Sequence, residues 1–189
     1  LRTLIDNYKL PLEERVEVGH LVLSPHQISG LFGRLEELYE LHFKFFTTLQ
    51  SHYDAHHQDS SLRGNLVSPP FLDILVAGLR ETGPIYTLVA HSLRAHLHLL
   101  AADSIPKAFS LFLKRRGGPR ELERLLLSPI QRPPRYALLF QKLLSDCQAG
   151  DPSCLPLERA AGLAREITVG MNSCTEASVR IMHQSAKDG

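Results

Sequence analysis

The stretch that decides the fold lies between residues 125 and 144. It reads Leu125-Leu126-Leu127-Ser128-Pro129-Ile130-Gln131-Arg132-Pro133-Pro134-Arg135-Tyr136-Ala137-Leu138-Leu139-Phe140-Gln141-Lys142-Leu143-Leu144. Two apolar helical patterns flank a centre with three prolines and three polar side chains, Gln131, Arg132 and Arg135. A proline inside a helix removes a hydrogen-bond donor and collides with the preceding turn. The stretch therefore predicts a kinked or restarted helix.

The second half of this stretch predicts a helix with two different faces. The three-to-four spacing of apolar residues predicts one buried face, formed by Tyr136, Leu139, Phe140, Leu143 and Cys147. The opposite side carries Arg135, Leu138, Lys142 and Ser145. A segment built only to fill a core would not usually keep such polar groups, so something outside this helix is expected to contact that side.

Composition limits the class of protein. The 189 residues are 43% hydrophobic, which predicts one folded domain rather than a disordered chain. No apolar run approaches the length of a membrane span. The net charge is +1, so no bulk field attracts nucleic acid or an anionic bilayer. The local cluster Lys114-Arg115-Arg116, with Arg120 nearby, is either a favourable helix end or a contact with an anionic surface.

Cysteine use and the first residues suggest where the protein acts. The three cysteines, an odd number without a close-spaced pair, favour a reducing compartment, which predicts the cytoplasm. The first ten residues mix charged and apolar side chains and do not read as a signal peptide. The chain starts inside an amphipathic pattern, which suggests a fragment of a longer protein.

Helical periodicity runs through most of the chain, and no period-two alternation indicates a strand. The first predicted helix ends at Pro11, and the second runs from Ser24 to Tyr53 with Ser24-Pro25 at its N-cap. The third runs from Leu72 to Leu100 and is interrupted or bent at Gly83-Pro84. Pro106 to Lys114, the proline-broken stretch and Leu157 to Met182 form the others. The predicted fold is all-α, an elongated bundle of long helices with a proline-kinked central helix.

Covalent and metal chemistry have little support in the sequence. There is no nucleophile elbow, phosphate-binding loop or dinucleotide-binding glycine pattern. His52 and His56 have the i, i+4 spacing of two zinc ligands, but no glutamate stands between them as in zinc proteases. A polar helix end is the favoured interpretation, and a zinc site is kept as an alternative. His42 lies in an apolar stripe and is interpreted as a hydrogen-bonded core histidine.

The segment from Leu126 to Leu139 closely resembles the third conserved region of Dbl homology (DH) domains. These domains are the exchange modules of guanine nucleotide exchange factors for Rho-family GTPases. Three further segments agree: Leu31 to His42 resembles the family's second helix, Ala108 to Leu113 its Phe-x-x-Phe-Leu element, and Gly170 to Asn172 the end of its last helix. The resemblance covers most of the chain and implies one DH-like domain over residues 1–189, without a pleckstrin homology domain in the chain.

The resemblance implies that the domain grips the switch regions of a Rho, Rac or Cdc42-type GTPase and stabilises its nucleotide-free form, without a cofactor. Arg135 and Asn172 match positions expected to contact the second switch. Gln131 and Arg132 match as well, but they could instead cap and brace the proline kink. Leu138 and Ser128 complete the set of expected GTPase contacts. Asn172 is also expected to share the outer face of its helix with Arg165, Thr168 and Glu176.

The sequence departs from the family pattern at several positions. Ser128 replaces the usual lysine before the proline, and Pro133 replaces an apolar residue. The first conserved region is expected upstream of Leu1. These departures keep a second hypothesis open, in which the domain is a catalytically weakened scaffold or regulatory binding module. Other parts of the parent protein, such as an adjacent pleckstrin homology domain, are expected to recruit it to membrane or cytoskeleton.

Overall fold

A computed structural model describes residues 1–58, 68–100, 105–148 and 150–185, with side chains described up to Ala55 in the first range and up to Ser173 in the last. Within these ranges every regular element is a helix. In chain order they are α1 (Arg2–Leu4), a π-helical turn (Ile5–Lys9), α2 (Leu10–Glu17), α3 (Pro25–Phe32), α4 (Leu35–Gln58), α5 (Pro69–His96), a 3-10 turn (Leu97–Leu100), α6 (Lys107–Lys114), α7 (Pro119–Ile130), α8 (Arg132–Ser145) and α9 (Cys154–Ser185).

The proline-rich stretch forms two helices, as the sequence predicted. Helix α7 ends at Ile130, and α8 begins at Arg132 with Gln131 between them. Pro133 occupies the first turn of α8, where a missing N–H costs little because the first N–H groups of a helix have no partner in it. The prediction of a restarted helix is confirmed.

The predicted buried face of α8 needs one correction. Leu139 was expected in the core but is 53% exposed, whereas Pro133, Ala137 and Phe140 are buried. The restart at Arg132 sets the rotation of α8 about its axis. The residues that follow Pro133 at helical spacing, Ala137 and Phe140, therefore face the core. Tyr136 and Leu143 are partly buried at its edge. Cys147 is half-buried and follows the end of the helix.

Pro11 does not end the first helix, so that prediction was wrong. The chain remains helical from Arg2 to Glu17 and widens into a π-helical turn just before the proline. Pro11 cannot bond to the carbonyl of Asn7 four residues earlier, and that carbonyl accepts a hydrogen bond of 2.8 Å from Nε of Arg116 instead. The Tyr8 hydroxyl in turn donates to the Arg116 carbonyl at 2.8 Å. A residue distant in sequence therefore supplies the donor that the proline lacks.

Several helix bounds differ from the prediction. The long helix expected from Ser24 is divided by a turn at residues 33–34 into α3 and α4. Helix α5 continues through Pro84, so of the two predicted alternatives the interruption was wrong and the bend stays a prediction. Packing of α5 against α4 and α9 compensates for the one lost backbone bond. The last helix begins at Cys154. The predicted break at residues 117–119 is present, with Gly117 and Gly118 at φ of 90° and 82°, values that favour glycine.

The core is organised around α5, which packs against α3, α4, α7 and α9, while α9 also packs along α8. Fully buried side chains come from nearly every helix: Leu12, Phe32, Leu38, Leu72, Tyr86, Phe109, Leu113, Leu122, Leu126 and Ala164. The all-α bundle predicted from the sequence is confirmed. Among the helices described, none contains a run long and apolar enough to cross a bilayer.

The start of α3 provides a test of local stability. The hydroxyl of Ser24 accepts from the backbone N–H of Gln27 at 3.2 Å, and Gln27 Oε1 accepts from the backbone N–H of Ser24 at 2.9 Å. This capping box confirms the predicted N-cap. We expect Ser24→Ala to lower the free energy of unfolding by about 1 kcal/mol in a denaturant titration. Ser29→Ala, at an exposed position inside the same helix, is the control and should not destabilise. Equal effects would contradict the role of the cap.

Candidate functional site

The outer face of α8 is exposed and polar, as the sequence predicted. Arg135 and Lys142 are exposed, and Leu138 between them is 67% exposed. An Arg135 Nη2 group donates to Gln131 Oε1 at 3.4 Å, so the residue at the break restrains the arginine one turn later. The Gln131 side chain does not cap α8. Its contact with Arg135 agrees with the alternative that it braces the kink.

Asn172 lies on an exposed position of α9, and its partner comes from α5. Arg94 donates to the Asn172 side-chain oxygen at 3.2 Å and also to the backbone carbonyl of Met171. Met171 itself is buried. The arginine therefore fixes both the amide group of Asn172 and the backbone that carries it. Arg94 was not among the residues predicted for the site. The sequence marks it only as a basic residue between Leu93 and Leu97 in an otherwise apolar helix.

The exposed side of α9 near Asn172 also carries an apolar group. Val169, one turn before Asn172, is 64% exposed. Arg165 is exposed and Thr168 is half-buried, while Glu176 lies outside the described side chains. Because α8 and α9 pack along each other, two exposed faces, one with Arg135 and Leu138 and one with Val169 and Asn172, belong to neighbouring helices. Each face combines an exposed apolar side chain with a polar one, which is the mixed composition of surfaces that bind protein partners.

Ser128 and Arg132 line a cavity that also touches the helices α4 and α5. The cavity has a volume of about 440 Å³ and is also lined by His42, Tyr86 and Pro129. Arg132 donates from Nη1 to the Tyr136 hydroxyl at 3.3 Å, which ties the first residue of α8 to its second turn. Arg132 and Ser128 therefore lie where they can hold the α7–α8 break in place.

His42 and Tyr86 form the polar centre of this cavity. Nε2 of His42 and the Tyr86 hydroxyl share a hydrogen bond of 2.6 Å, in agreement with the interpretation of His42 as a hydrogen-bonded histidine. Burial, reinforced by the charge of Arg132, lowers the pKa of His42 to about 4. Burial also raises the pKa of Tyr86, so both groups are neutral near pH 7. A neutral pair needs no counter-ion inside the fold.

A metal site finds no support among the described side chains, where no group of three or more histidine, cysteine or acidic residues is close enough to hold an ion. His52 lies at the end of α4, with its ring 6.0 Å from that of Phe71. The side chain of His56 lies outside the described residues. The zinc hypothesis for this pair therefore stays a prediction.

Comparison with known proteins decides the family. The model of the RhoGEF domain matches residues 1–172, which is nearly the whole chain. The chain belongs to the RhoGEF domain family. The resemblance to Dbl homology domains is confirmed, and both α8 and the described part of α9 up to Asn172 fall within the match.

Relatives and solved structures agree with this membership. Protein ECT2 from Mus musculus is 26% identical over 91% of this chain and 18% of its own length. Rho guanine nucleotide exchange factor 17 from Mus musculus is 27% identical over 94% of the chain and 9% of its own length. The chain thus spans less than a fifth of either relative. A crystal structure of PDZ-RhoGEF DH/PH domains with GTP-gamma-S activated RhoA matches the fold with a TM-score of 0.70 and 18% identity, over 93% of this chain and 48% of the other.

The half-buried His42 predicts a pH-dependent loss of stability. Because the folded state holds His42 neutral down to about pH 4 while the unfolded chain takes up a proton near pH 6.5, stability is retained above pH 6.5 and lost as the pH falls between these values. We expect this group to lower the free energy of unfolding by up to about 1.4 kcal/mol per pH unit in that window. His42→Gln should show a flatter profile in denaturant titrations across the same range. Parallel profiles for the two proteins would contradict the assignment.

Proposed function

We propose that this domain promotes the release of GDP and the loading of GTP on a Rho-family small GTPase. Membership in the RhoGEF domain family carries the proposal. Two structural observations support it, namely the exposed Arg135 and Leu138 on α8 and the exposed Asn172 on α9. The solved relatives of this fold include DH/PH domains in complex with RhoA.

The proposed catalysis is non-covalent. An exchange factor accelerates nucleotide release when it binds the nucleotide-free GTPase more tightly than the nucleotide-bound form. Such a protein needs a rigid surface and no reactive group, cofactor or metal of its own. The domain is therefore a catalyst of exchange rather than an enzyme that makes or breaks covalent bonds.

We assign different roles to the residues of the site. Arg135, Leu138 and Asn172 would contact the GTPase directly, because they are exposed on the two outer faces. Gln131 would orient Arg135 through their shared hydrogen bond. Arg132 and Ser128 line the cavity behind the break, so we propose that they hold the geometry of α7 and α8 for the GTPase contact.

Single substitutions test this assignment. We expect Asn172→Ala and Arg135→Ala each to slow GDP release at least about tenfold in a fluorescent-nucleotide assay, because a hydrogen bond to a charged or strongly polar partner contributes about 1.5 to 3 kcal/mol. Arg159→Ala, another exposed arginine on α9, is the matched control and should leave release unchanged. Unchanged release for both site variants, in a wild-type protein shown to be active, would sink the assignment.

Arg94 predicts a coupling that a double-mutant cycle can measure. Arg94→Ala should slow exchange because it removes the hydrogen bonds from the guanidinium to the Asn172 amide oxygen and the Met171 carbonyl. The same substitution in an Asn172→Ala background should have a much smaller effect if Arg94 acts by positioning Asn172. A coupling energy of about 1 kcal/mol is expected for two residues in direct contact. Fully additive effects would show that Arg94 acts independently of Asn172.

A second function is favoured by one departure from the family pattern. Ser128 stands where the family usually has lysine, and it is an exposed residue of α7 at the border of the cavity. A catalytically weakened domain would still use the outer faces as a scaffold or regulatory binding surface. Titration of the domain against nucleotide-free GTPase separates the two functions, because the scaffold would bind without faster nucleotide release.

Two further proposals concern the parent protein, namely its neighbouring domain and its location in the cell. We propose that a pleckstrin homology domain adjoins this domain in the parent protein, because the solved relatives are DH/PH pairs. We propose a cytoplasmic location, which the odd number of cysteines in the sequence supports. We also propose that other parts of the parent protein recruit the domain to membrane or cytoskeleton.

A further inference from the structure

The outer face of α6 combines cations with an exposed leucine. Phe109, Phe112 and Leu113 are buried, so the opposite positions at helical spacing face outward. These outward positions are Lys107, Ala108, Leu111, Lys114 and Arg115, and all are exposed. Helix α6 and the two residues after it contain no acidic side chain. One face of a short helix therefore has three cations around a leucine that is 68% exposed.

This face continues onto α2 and the segment that follows it. A groove of about 1040 Å³ joins Leu111, Lys114, Arg115 and Arg116 to Arg15. A second depression joins Arg15 to Leu21, and the two share Val22 and Ala108. We call the surface formed by Arg15, Leu21, Leu111, Lys114, Arg115 and Arg116 the basic surface. No residue that lines either depression is acidic.

Two arginines of the basic surface share one aromatic ring. The guanidinium carbon of Arg116 lies 4.0 Å from the centre of the Phe112 ring, and that of Arg15 lies 5.5 Å from it. Arg116 is also held by the carbonyls of Asn7 and Phe112, at 2.8 and 3.2 Å. Two guanidinium groups therefore lie close together with no acidic partner between them. This arrangement concentrates positive potential at the groove.

The acidic side chains nearby are partly engaged elsewhere. Asp6 lines an adjoining depression with Arg115 and Arg116, but its carboxylate pairs with Arg2 at 3.3 Å. Glu13 on α2 faces Lys9 at 3.6 Å. Glu14 and Glu17 are exposed on α2 but do not line the groove. In the part of the chain that the structure describes, Arg15, Lys114 and Arg115 form no ion pair.

We infer that the basic surface docks on a membrane that contains anionic phospholipids. Its cations complement the phosphate groups of such a bilayer, and this local charge contrasts with a net charge of only +1 for the chain. Leu21 and Leu111 are 66% and 68% exposed and line the same two depressions as the cations. Isolated apolar side chains among cations insert into the boundary between headgroups and acyl chains. A purely acidic chain such as poly-glutamate would account for the cations but offers no apolar contact to the two leucines.

Vesicle binding tests this inference with the complete chain. We expect the wild-type chain to co-sediment with vesicles of phosphatidylcholine mixed with phosphatidylserine and not with vesicles of phosphatidylcholine alone. Each cation near an anionic bilayer contributes about a factor of five to binding. Lys114→Gln with Arg115→Gln should therefore weaken binding about 25-fold. Leu111→Ala should weaken it as well, because a shorter side chain buries less apolar surface in the bilayer.

A matched control separates local from total charge. Arg80→Gln with Arg159→Gln removes the same two charges from exposed positions on α5 and α9 and should bind vesicles like the wild type. A cooperative thermal unfolding transition shows that each variant folds. Because all the substituted positions are exposed, we expect every variant to fold like the wild type. Equal weakening by the control, or equal binding to both kinds of vesicle, would overturn the proposal. Binding of poly-glutamate without vesicle binding would overturn it in favour of an acidic protein partner.

Discussion

The break between α7 and α8 is the constraint on which the candidate site depends. A continuous helix through residues 119–145 would need backbone bonds that Pro129, Pro133 and Pro134 cannot donate. The chain meets this restriction by ending one helix at Ile130 and starting another at Arg132. The new start sets the rotation of α8, with Ala137 and Phe140 inward and Arg135 and Leu138 outward. A sequence feature that looks unfavourable for a helix thus determines which side chains face solvent.

The neighbourhood of the break explains why its polar residues are there. Arg132 reaches the Tyr136 hydroxyl, Gln131 accepts from Arg135, and both contacts span one turn of the new helix. Behind them, His42 and Tyr86 provide a neutral hydrogen-bonded pair next to a permanent cation. The low pKa of His42 is a consequence of this arrangement, because burial and the charge of Arg132 both disfavour a second positive charge. The polar groups stabilise the break and leave Arg135 available on the outside.

Sequence reasoning predicted what depends on local chemistry. The N-cap at Ser24, the glycine break before α7, the restart near Gln131 and the exposed positions of Arg135 and Leu138 all follow from neighbouring residues. It was wrong where a distant residue decides the outcome. Pro11 reads as a helix end, but Arg116 supplies a donor from more than a hundred positions away. Which residues of α8 are buried, and the contact of Arg94 with α9, likewise depend on which helices pack together. The periodicity of a single helix does not carry that information.

Asn172 shows how that missing information bears on the proposed function. An exposed asparagine on an isolated helix would sample several rotamers and lose conformational entropy on binding a partner. Arg94 removes part of that cost in advance, because its guanidinium holds the amide oxygen and the carbonyl of Met171 at the same time. The same principle applies to Arg135 and Gln131 on α8. Two polar side chains on neighbouring helices are thus each restrained by a hydrogen bond to a second side chain. A catalyst that works only by binding one state of its partner more tightly gains most from such restraint, since only a rigid surface can discriminate between two shapes of the same protein.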